Sequence, residues 1–432
     1  MTTRLIPSGR RALGSLIPPS SKSFTHRAFN LALLARAPLE VRRPLWAEDT
    51  KLFAGCLETL GFRVTPSADG VALQPGALPA GGVFYCGNAG TLFRFLVAAL
   101  ATQKGTWQVD GSPRLRERPI GPLVEALRPL GARIRYLAAE GHAPLEIAGG
   151  TLEGGLTTLD AGESSQYLSA LLMAGLAAKA SVEVEVAALT SEPYVNVTLA
   201  SIARFGGKVE RPSPSRWRVE PGLAPPAEIT IEGDYSAACY PAAAAALTGG
   251  EVNLRGLDPE SSQGDRAFFD LLGRMGARVE RQEDGFSIRG TGELTAVDVD
   301  LSSMPDQVPT LAALAVFARG TSRITNVAHL RIKESDRLAA MASELRRAGA
   351  RVEEQADGLT IEGCWFRAEP PANPVVIDPH DDHRIAMSLA LVGLRRPGIS
   401  IAHPEVVSKS YPGFFEDLES LLQATSARRQ PT

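Results

Sequence analysis

Cysteine is scarce in this chain, and its spacing excludes more than its number does. The four cysteines, Cys56, Cys86, Cys239 and Cys364, form no CxxC pair and no Cys/His ligand pattern. Neither a disulfide framework nor a zinc site is predicted, and buried reduced thiols are expected. No apolar run, Leu311 to Ala318 included, approaches the roughly 20 residues of a membrane helix. Met1 to Arg11 holds three arginines but no apolar stretch or cleavage site of a secretory signal, so a cytoplasmic address is expected. There is no excess of positive charge either. Lys plus Arg is 45 against 48 acids, a net charge of -3, which excludes the global basicity of a protein that grips long nucleic acid. The absence of GxGxxG, P-loop, GxSxG and HExxH patterns leaves nucleotide, serine-hydrolase and zincin chemistry without a signal.

What is present is a repeat. An amphipathic helix that ends in glycine and runs into a β-branched strand recurs as CLETLGFRV, ALRPLGARI, SIARFGGKV, LLGRMGARV and ELRRAGARV. The glycines, Gly61, Gly131, Gly206, Gly276 and Gly349, are 70, 75, 70 and 73 residues apart and fit left-handed helix caps. Four of the five strands are followed by a turn and a second short strand, so the unit is helix, strand, hairpin, strand. A second series, Ala/Leu-rich, begins near Thr25, Thr91, Ser165, Ser236, Asp306 and His383; with Phe415 to Leu422 as the last Gly-series helix, six units of about 72 residues fill all 432. Segments such as LAALAVFA are apolar on every side and must be inner helices, whereas the glycine-ended helices carry charge on one face and must be outer. A loop-like stretch from Pro212 to Glu228 divides the six into three and three, with a boundary near Gly233. Two domains of one plan predict a cleft, a favoured place for a ligand.

The inner helices begin with polar residues: SSKSFTHR, GNAGTLFR, GESSQY, EGDYSAA, MPDQVPT and DPHDDHR. Ser, Thr and Asp at such places are ordinary N-caps. Cations are not, because a positive charge in the first turn opposes the helix dipole. Lys22, Arg27, Arg94 and Arg384 are all placed in that sense, and an anionic ligand shared by the helix starts would resolve the conflict. Further cations stand in Arg114, Arg116 and Arg118, in RIKESDRL (331–338) and at Lys409. Taken singly, the first is a solvated basic face, the second a surface ladder of ion pairs and the third a loop residue. Carboxylates complete the set: Asp306 at a helix start, Glu334 and Asp336, and Asp381 and Asp382 beside His383. Acids among Lys and Arg stay ionised and can accept protons, whereas a more buried one can donate.

SSKSFTHRA, GNAGTLFR, PRLRERPIG, SSQYLSALLM, SEPY, GDYSAA, MPD, RIKESDRL, DDHRIAMS and SKSYPGFF occur in this order over essentially the whole chain. In this the sequence resembles the 5-enolpyruvylshikimate-3-phosphate synthase family of enolpyruvyl transferases. The resemblance implies an α/β fold, a two-domain inside-out α/β barrel of six βαβαββ units, three per domain: 14–233 as one lobe, 1–13 with 234–432 as the other. It implies transfer of the enolpyruvyl group from phosphoenolpyruvate to the 5-hydroxyl of shikimate 3-phosphate, with release of phosphate, in the shikimate pathway of aromatic amino acid biosynthesis. No metal or organic cofactor is implied, and a monomer acting on two small polyanions is expected.

By the same resemblance Lys22, Ser23, Arg27, Ser164, Ser165, Gln166, Ser191, Asp306 and Lys333 would hold shikimate 3-phosphate. Lys22, Gly90, Arg118, Gln166, Arg337, Arg384 and Lys409 would hold phosphoenolpyruvate. Asp306 would accept a proton and Glu334 donate one, with Lys22 and His383 stabilising or relaying charge. Three positions depart from the family pattern: Ser20 stands where glycine is usual, Phe95 where proline commonly follows the arginine of GNAGT, and His329 where asparagine often contacts substrate. Phe95 is expected to shift the second inner helix, which in the family governs the response to the herbicide glyphosate; Gly90 leaves room for that inhibitor. The alternatives are a UDP-N-acetylglucosamine enolpyruvyl transferase, which normally carries a reactive Cys where this chain reads PRLRERPI, a non-catalytic anion-binding relative, and an RNA-end-processing protein built from related units.

Overall fold

The five repeat glycines all adopt left-handed backbone, with φ of +82° at Gly61, +99° at Gly131, +70° at Gly206, +109° at Gly276 and +89° at Gly349. A side chain is strained there, so glycine ends each helix and turns the chain into the next strand. The computed structural model describes residues 2–365 and 374–423. Its helices are α1 (Lys22–Ala35), α2 (Glu48–Thr59), α3 (Gly90–Thr102), the short α4 (Pro113–Glu117), α5 (Gly121–Leu127), α6 (Ser165–Gly175), α7 (Pro193–Arg204), α8 (Tyr235–Thr248), α9 (Ala267–Arg274), α10 (Val308–Ala315), α11 (Arg337–Arg347), α12 (His383–Arg395) and α13 (Phe414–Gln423). The Ala/Leu-rich series is α1, α3, α6, α8, α10 and α12. Val308 to Ala315 of α10 and His383 to Leu394 of α12 are buried without a break. A helix apolar on every side is stable only when enclosed, and these are.

Some strands alternate. In Val182–Leu189 the side chains of Val182, Val184 and Val186 are buried while Glu185 and Ala187 are exposed. A strand of this pattern turns one face to the helices and the other to solvent. The chain divides into two compact units, residues 20–232 and residues 1–19 with 233–432. Each has its own hydrophobic core.

In the 20–232 unit three four-stranded sheets follow one rule, a parallel neighbour and then an antiparallel hairpin. Gly81–Tyr85 runs parallel to Gly105–Asp110, which pairs with the hairpin Leu145–Gly149 and Arg133–Tyr136. The first repeat takes its parallel strand, Glu228–Thr230, from the end of the third, so the three repeats close on themselves.

The other unit closes with borrowed chain. Leu13–Leu16 lies parallel to Glu251–Arg255, and Thr3–Leu5 lies antiparallel to Ile399–Ala402. Residues 14–19 consequently stay with 233–432, where the sequence reading placed the lobe boundary after residue 13: the ladder from Leu13 to Leu16 holds them. Gly233 falls on the same side. Cys56, Cys86 and Cys239 are buried and Cys364 is half-buried, all four free. Burial pushes the Cys56 thiol up to about 12 and those of Cys86 and Cys239 well above the ordinary thiol range.

Candidate active site

In the 20–232 unit the first turns of α1, α3 and α6 bring predicted residues to bonding distance. Ser21 caps α1 by accepting from the Phe24 amide. Lys22, next along, reaches the Asp49 carboxylate on the first turn of α2 at 3.3 Å. Arg27 is buried. Its Nε donates to Thr198 Oγ1, Nη1 to the Ser23 carbonyl and Nη2 to the Tyr194 carbonyl, at 2.8, 2.9 and 2.9 Å. It lies over the Phe95 ring at 5.3 Å. With dipoles but no carboxylate bonded to it, burial lowers its pKa to about 9. Arg27 thus ties α1 to α7, a structural duty beside the ligand role expected of it.

Gln166 joins two helix starts: its Nε2 donates to Thr91 Oγ1 at 2.9 Å and its Oε1 accepts from Arg94 Nη1 at 2.8 Å. Arg94 also donates to the Pro119 carbonyl and stacks on Tyr167. Ser164 caps α6 through the Gln166 amide, and Ser165 is buried beside it. Ser191, buried with φ of +53°, turns the chain into α7. The basic run splits. Arg114 pairs with Glu117 and Arg116 with Asp110 at the surface, whereas Arg118 is buried against the start of α3. Its Nη1 donates to the Asn88 carbonyl at 3.2 Å. A methyl on Gly90 would stand 2.5 Å from Arg118 Nη2, so only glycine lets the guanidinium lie there.

In the other unit Arg337, on the first turn of α11, gathers three carboxylates. Nη1 donates to Asp306 Oδ1, Nη2 to Glu334 Oε2 and Nε to Asp382 Oδ2, each at 2.8 Å. Arg384 Nη2 donates to the second Asp306 oxygen at 2.7 Å. Asp382 caps α12 through the Arg384 amide at 2.9 Å and accepts from Ser335 Oγ at 3.1 Å. Burial would raise the Asp306 carboxyl, but Arg384, Arg337 and Lys333 outweigh it and hold the group ionised, well below the usual carboxylate range. Burial, with Lys333 adding to it, lowers the His329 imidazole to about 4, so His329 is neutral at physiological pH. His383 is fully buried at the start of α12, its Nδ1 3.7 Å from Asp382 Oδ1, and does not face solvent. Lys409 is buried at the end of the 3-10 turn Pro404–Lys409, which packs on α12.

The family model for EPSP synthase (3-phosphoshikimate 1-carboxyvinyltransferase) matches residues 7–418. The chain belongs to the EPSP synthase family. The 3-phosphoshikimate 1-carboxyvinyltransferase of Syntrophobacter fumaroxidans is 46% identical over 416 residues, covering 93% of this chain and 96% of that protein. The protein of the same name from Methanoculleus marisnigri is 44% identical, covering 93% and 94%. An Acinetobacter baumannii EPSP synthase structure superposes with a TM-score of 0.79 at 28% identity, over 97% of this chain and 98% of that one. The fold is accordingly the two-domain inside-out α/β barrel of EPSP synthase structures, with the sheets facing out and the helices in.

RIKESDRL, read alone as a surface ladder, divides between two surroundings. Arg331 pairs outward with Asp336 and Glu354, while Glu334 and Arg337 turn inward to Asp306 and Asp382. Sequence reasoning did not single out Asp49, the partner of Lys22, or rank Asp382 above Asp381. Asp49 carried one signal, an acid at the start of an amphipathic helix, which is also the commonest place for an acid with no such duty. The cations set against helix dipoles are compensated inside the fold: Lys22 by Asp49, Arg94 by Gln166 and Pro119, and Arg384 by Asp306.

Proposed function

We propose that this chain transfers the enolpyruvyl group of phosphoenolpyruvate to the 5-hydroxyl of shikimate 3-phosphate and releases phosphate. The hydroxyl oxygen bonds to the central carbon of phosphoenolpyruvate while a proton is added to its methylene carbon. The hydroxyl proton passes to a base, giving a tetrahedral ketal phosphate. Loss of a methyl proton and of phosphate then forms the enol ether. The observation that carries the reading is the pair of carboxylates Asp306 and Glu334 held on the single guanidinium of Arg337, with Arg384 on the far oxygen of Asp306.

Asp306 serves as proton acceptor and Glu334 as donor. Bonded to two guanidiniums, Asp306 is a weak base. The carboxylate and phosphate of phosphoenolpyruvate compete for Arg337 and Arg384, and each cation drawn away raises the proton affinity of Asp306. Substrate binding thereby makes the base. Lys22, Arg118 and Lys409 hold anionic oxygens, and His383 stabilises charge beside Asp382. Ser23, Ser164, Ser165, Gln166, Ser191 and Lys333 orient shikimate 3-phosphate, and the fixed cations supply preorganised stabilisation of developing negative charge. Gly90 keeps the phosphoenolpyruvate place open beside Arg118. The protein acts as a cytoplasmic monomer, with residues 20–232 and the remaining chain as its two lobes.

Phosphate release measured with shikimate 3-phosphate and, separately, UDP-N-acetylglucosamine tests the assignment. Turnover is expected with the first alone and is lost in Asp306→Ala; turnover confined to the UDP-sugar overturns it.

A further inference from the structure

One carboxyl near this cluster has no part in the reaction just described. Asp265 lies in the 3-10 turn Gly264–Arg266, which packs on the N-terminal end of α8. The residue is 4% exposed. One oxygen accepts a hydrogen bond from Ser236 Oγ on the first turn of α8, and the other, Oδ1, is buried with no hydrogen-bond partner. A buried carboxylate oxygen left bare is costly, and the cost disappears when the group takes a proton. The turn is rigidly tied to the helix: Gln263 accepts from the Tyr235 amide at 3.1 Å and donates to the Gly233 carbonyl at 2.8 Å.

The same face of α8 leads to the reacting cluster. Ser236, Cys239 and Tyr240 are spaced so that they share one side of the helix. Cys239 Sγ lies 3.6 Å from the Asp265 carbonyl, and α8 packs on α12, which carries Arg384, and on the 3-10 turn Pro305–Gln307, which carries Asp306. The titratable and charged groups that face Asp265 are Asp306 from the turn before α10, Arg384 from α12, Asp234 at the cap of α8, and the Cys239 thiol. Arg266, next in sequence, turns away to the Pro259 carbonyl.

We propose that Asp265, seated on Ser236 at the head of α8, is a positioning residue that gains and loses a proton beside the Asp306–Arg384 pair and so tunes Asp306 as a base. The inference rests on the proposed role of Asp306. Burial first, and then the charge of Asp306, raise the Asp265 carboxyl to about 7, with Arg384 opposing them. Below that pH Asp265 is neutral. Above it the new negative charge strengthens the hold of Asp306 on a proton, so the base accepts more readily.

The test compares the pH dependence of kcat for the full chain and for Asp265→Asn, which keeps the shape and stays neutral. The wild-type to variant ratio is expected near one at pH 6 and to rise severalfold with a midpoint near 7. A ratio that is flat with pH, whatever its value, overturns the proposal, because a purely structural role would lower activity evenly. The carbon-13 resonance of the Asp265 carboxyl, assigned by its loss in Asp265→Asn and titrated without substrates, is a second readout that needs no turnover. A midpoint near 7 is expected, moving higher in Ser236→Ala, which removes the donor that favours the ionised form. A midpoint in the ordinary carboxylate range overturns the proposal, and if Asp265→Asn does not fold in quantity the resonance is assigned instead by its displacement in Ser236→Ala. If the wild-type chain releases no phosphate from shikimate 3-phosphate, the functional reading fails by itself while the titration still decides whether Asp265 carries the proton.

Discussion

Replacing Arg337 probes the carboxylate cluster at its centre. The guanidinium is buried, with 2% of its side chain exposed, and donates to Asp306, Glu334 and Asp382 at 2.8 Å each. A lysine has one ammonium and cannot reproduce the planar fork that reaches three carboxylates in three directions. Arg337→Lys keeps one contact and loses two. Hydrogen bonds to charged groups contribute about 1.5–3 kcal/mol each, so the loss is about 3–6 kcal/mol. Arg337→Met strips all three. Breaking a buried ion pair alone costs about 3–5 kcal/mol, because charge is left uncompensated.

The sign of the pH dependence distinguishes this account from simple misfit. Removing Arg337 takes from Asp306 one of the two guanidiniums that hold it ionised, so its proton affinity in the folded state rises. The native variant binds more protons than the native wild type, so its deficit in stability grows as pH rises through the carboxylate range and shrinks as pH drops. The gap between wild type and Arg337→Met is therefore expected to be widest at pH 7–8 and to narrow toward pH 4.5. Urea denaturation midpoints across that range, at unchanged m, measure it. A gap below about 1 kcal/mol at pH 7, or one independent of pH, would refute the reasoning, since both the magnitude and the slope come from the same three contacts.

Burial lowers His26 from 6.5 to about 4, against the pull of Asp49, so the folded state excludes a proton that the unfolded chain accepts. Stability is expected in full above pH 6.5 and to fall by about 2 kcal/mol by pH 5, a slope that His26→Asn removes; an unchanged slope in the variant counts against it. Gly90→Ala places a methyl 2.5 Å from Arg118 Nη2 and 2.6 Å from its Cζ, so the guanidinium must leave the start of α3. The KM for phosphoenolpyruvate should rise by about tenfold or more, the loss of one charged contact, with the thermal midpoint little changed; equal KM values would show that Arg118 does not hold that substrate. Phe95 is fully buried within an unbroken α3 and faces Arg27 at 5.3 Å. Phe95→Ala should cost about 3–5 kcal/mol in denaturation, and a loss below 1 kcal/mol would mean the site collapses around the gap.

The parts of the fold that sequence reveals are those decided within a few residues. Glycine at a helix end, the uniform apolarity of α10 and α12 and the hairpin turns each act locally, and a period near 72 follows from them. Closure of each unit does not. Leu13–Leu16 finds Glu251–Arg255, and Glu228–Thr230 finds Leu39–Arg42, across most of a unit's length, because each supplies the parallel edge a sheet needs. Nothing in four short residues states that. The site divides in the same way. Arg337, Arg384, Asp306 and Glu334 were recoverable from motifs, but alternation of sign in RIKESDRL could not say which side chains turn inward. That is settled by the bend at the 3-10 turn Ala328–Ile332, after which Asp336 caps α11 and sends Arg337 into the core.

The helix starts show which reading of a polar N-terminus has physical content. Four of the six inner helices satisfy their own first turns: Ser21, Ser164, Asp234 and Asp382 accept from the amides of Phe24, Gln166, Ala237 and Arg384. A capping side chain occupies the place an anion would take, and an aspartate there also neutralises the dipole. Capping thus accounts for part of the polarity at these four starts before any ligand is invoked. At α3 the cap position is Ala89, which has no group to offer, and the first turn meets the buried guanidinium of Arg118. Dipole and cation have the same sign there, which favours a phosphate or carboxylate. In GNAGT the informative residue is thus the alanine: a helix that begins with no capping side chain leaves its amides to a ligand, and the absence could be read from the sequence as readily as any motif.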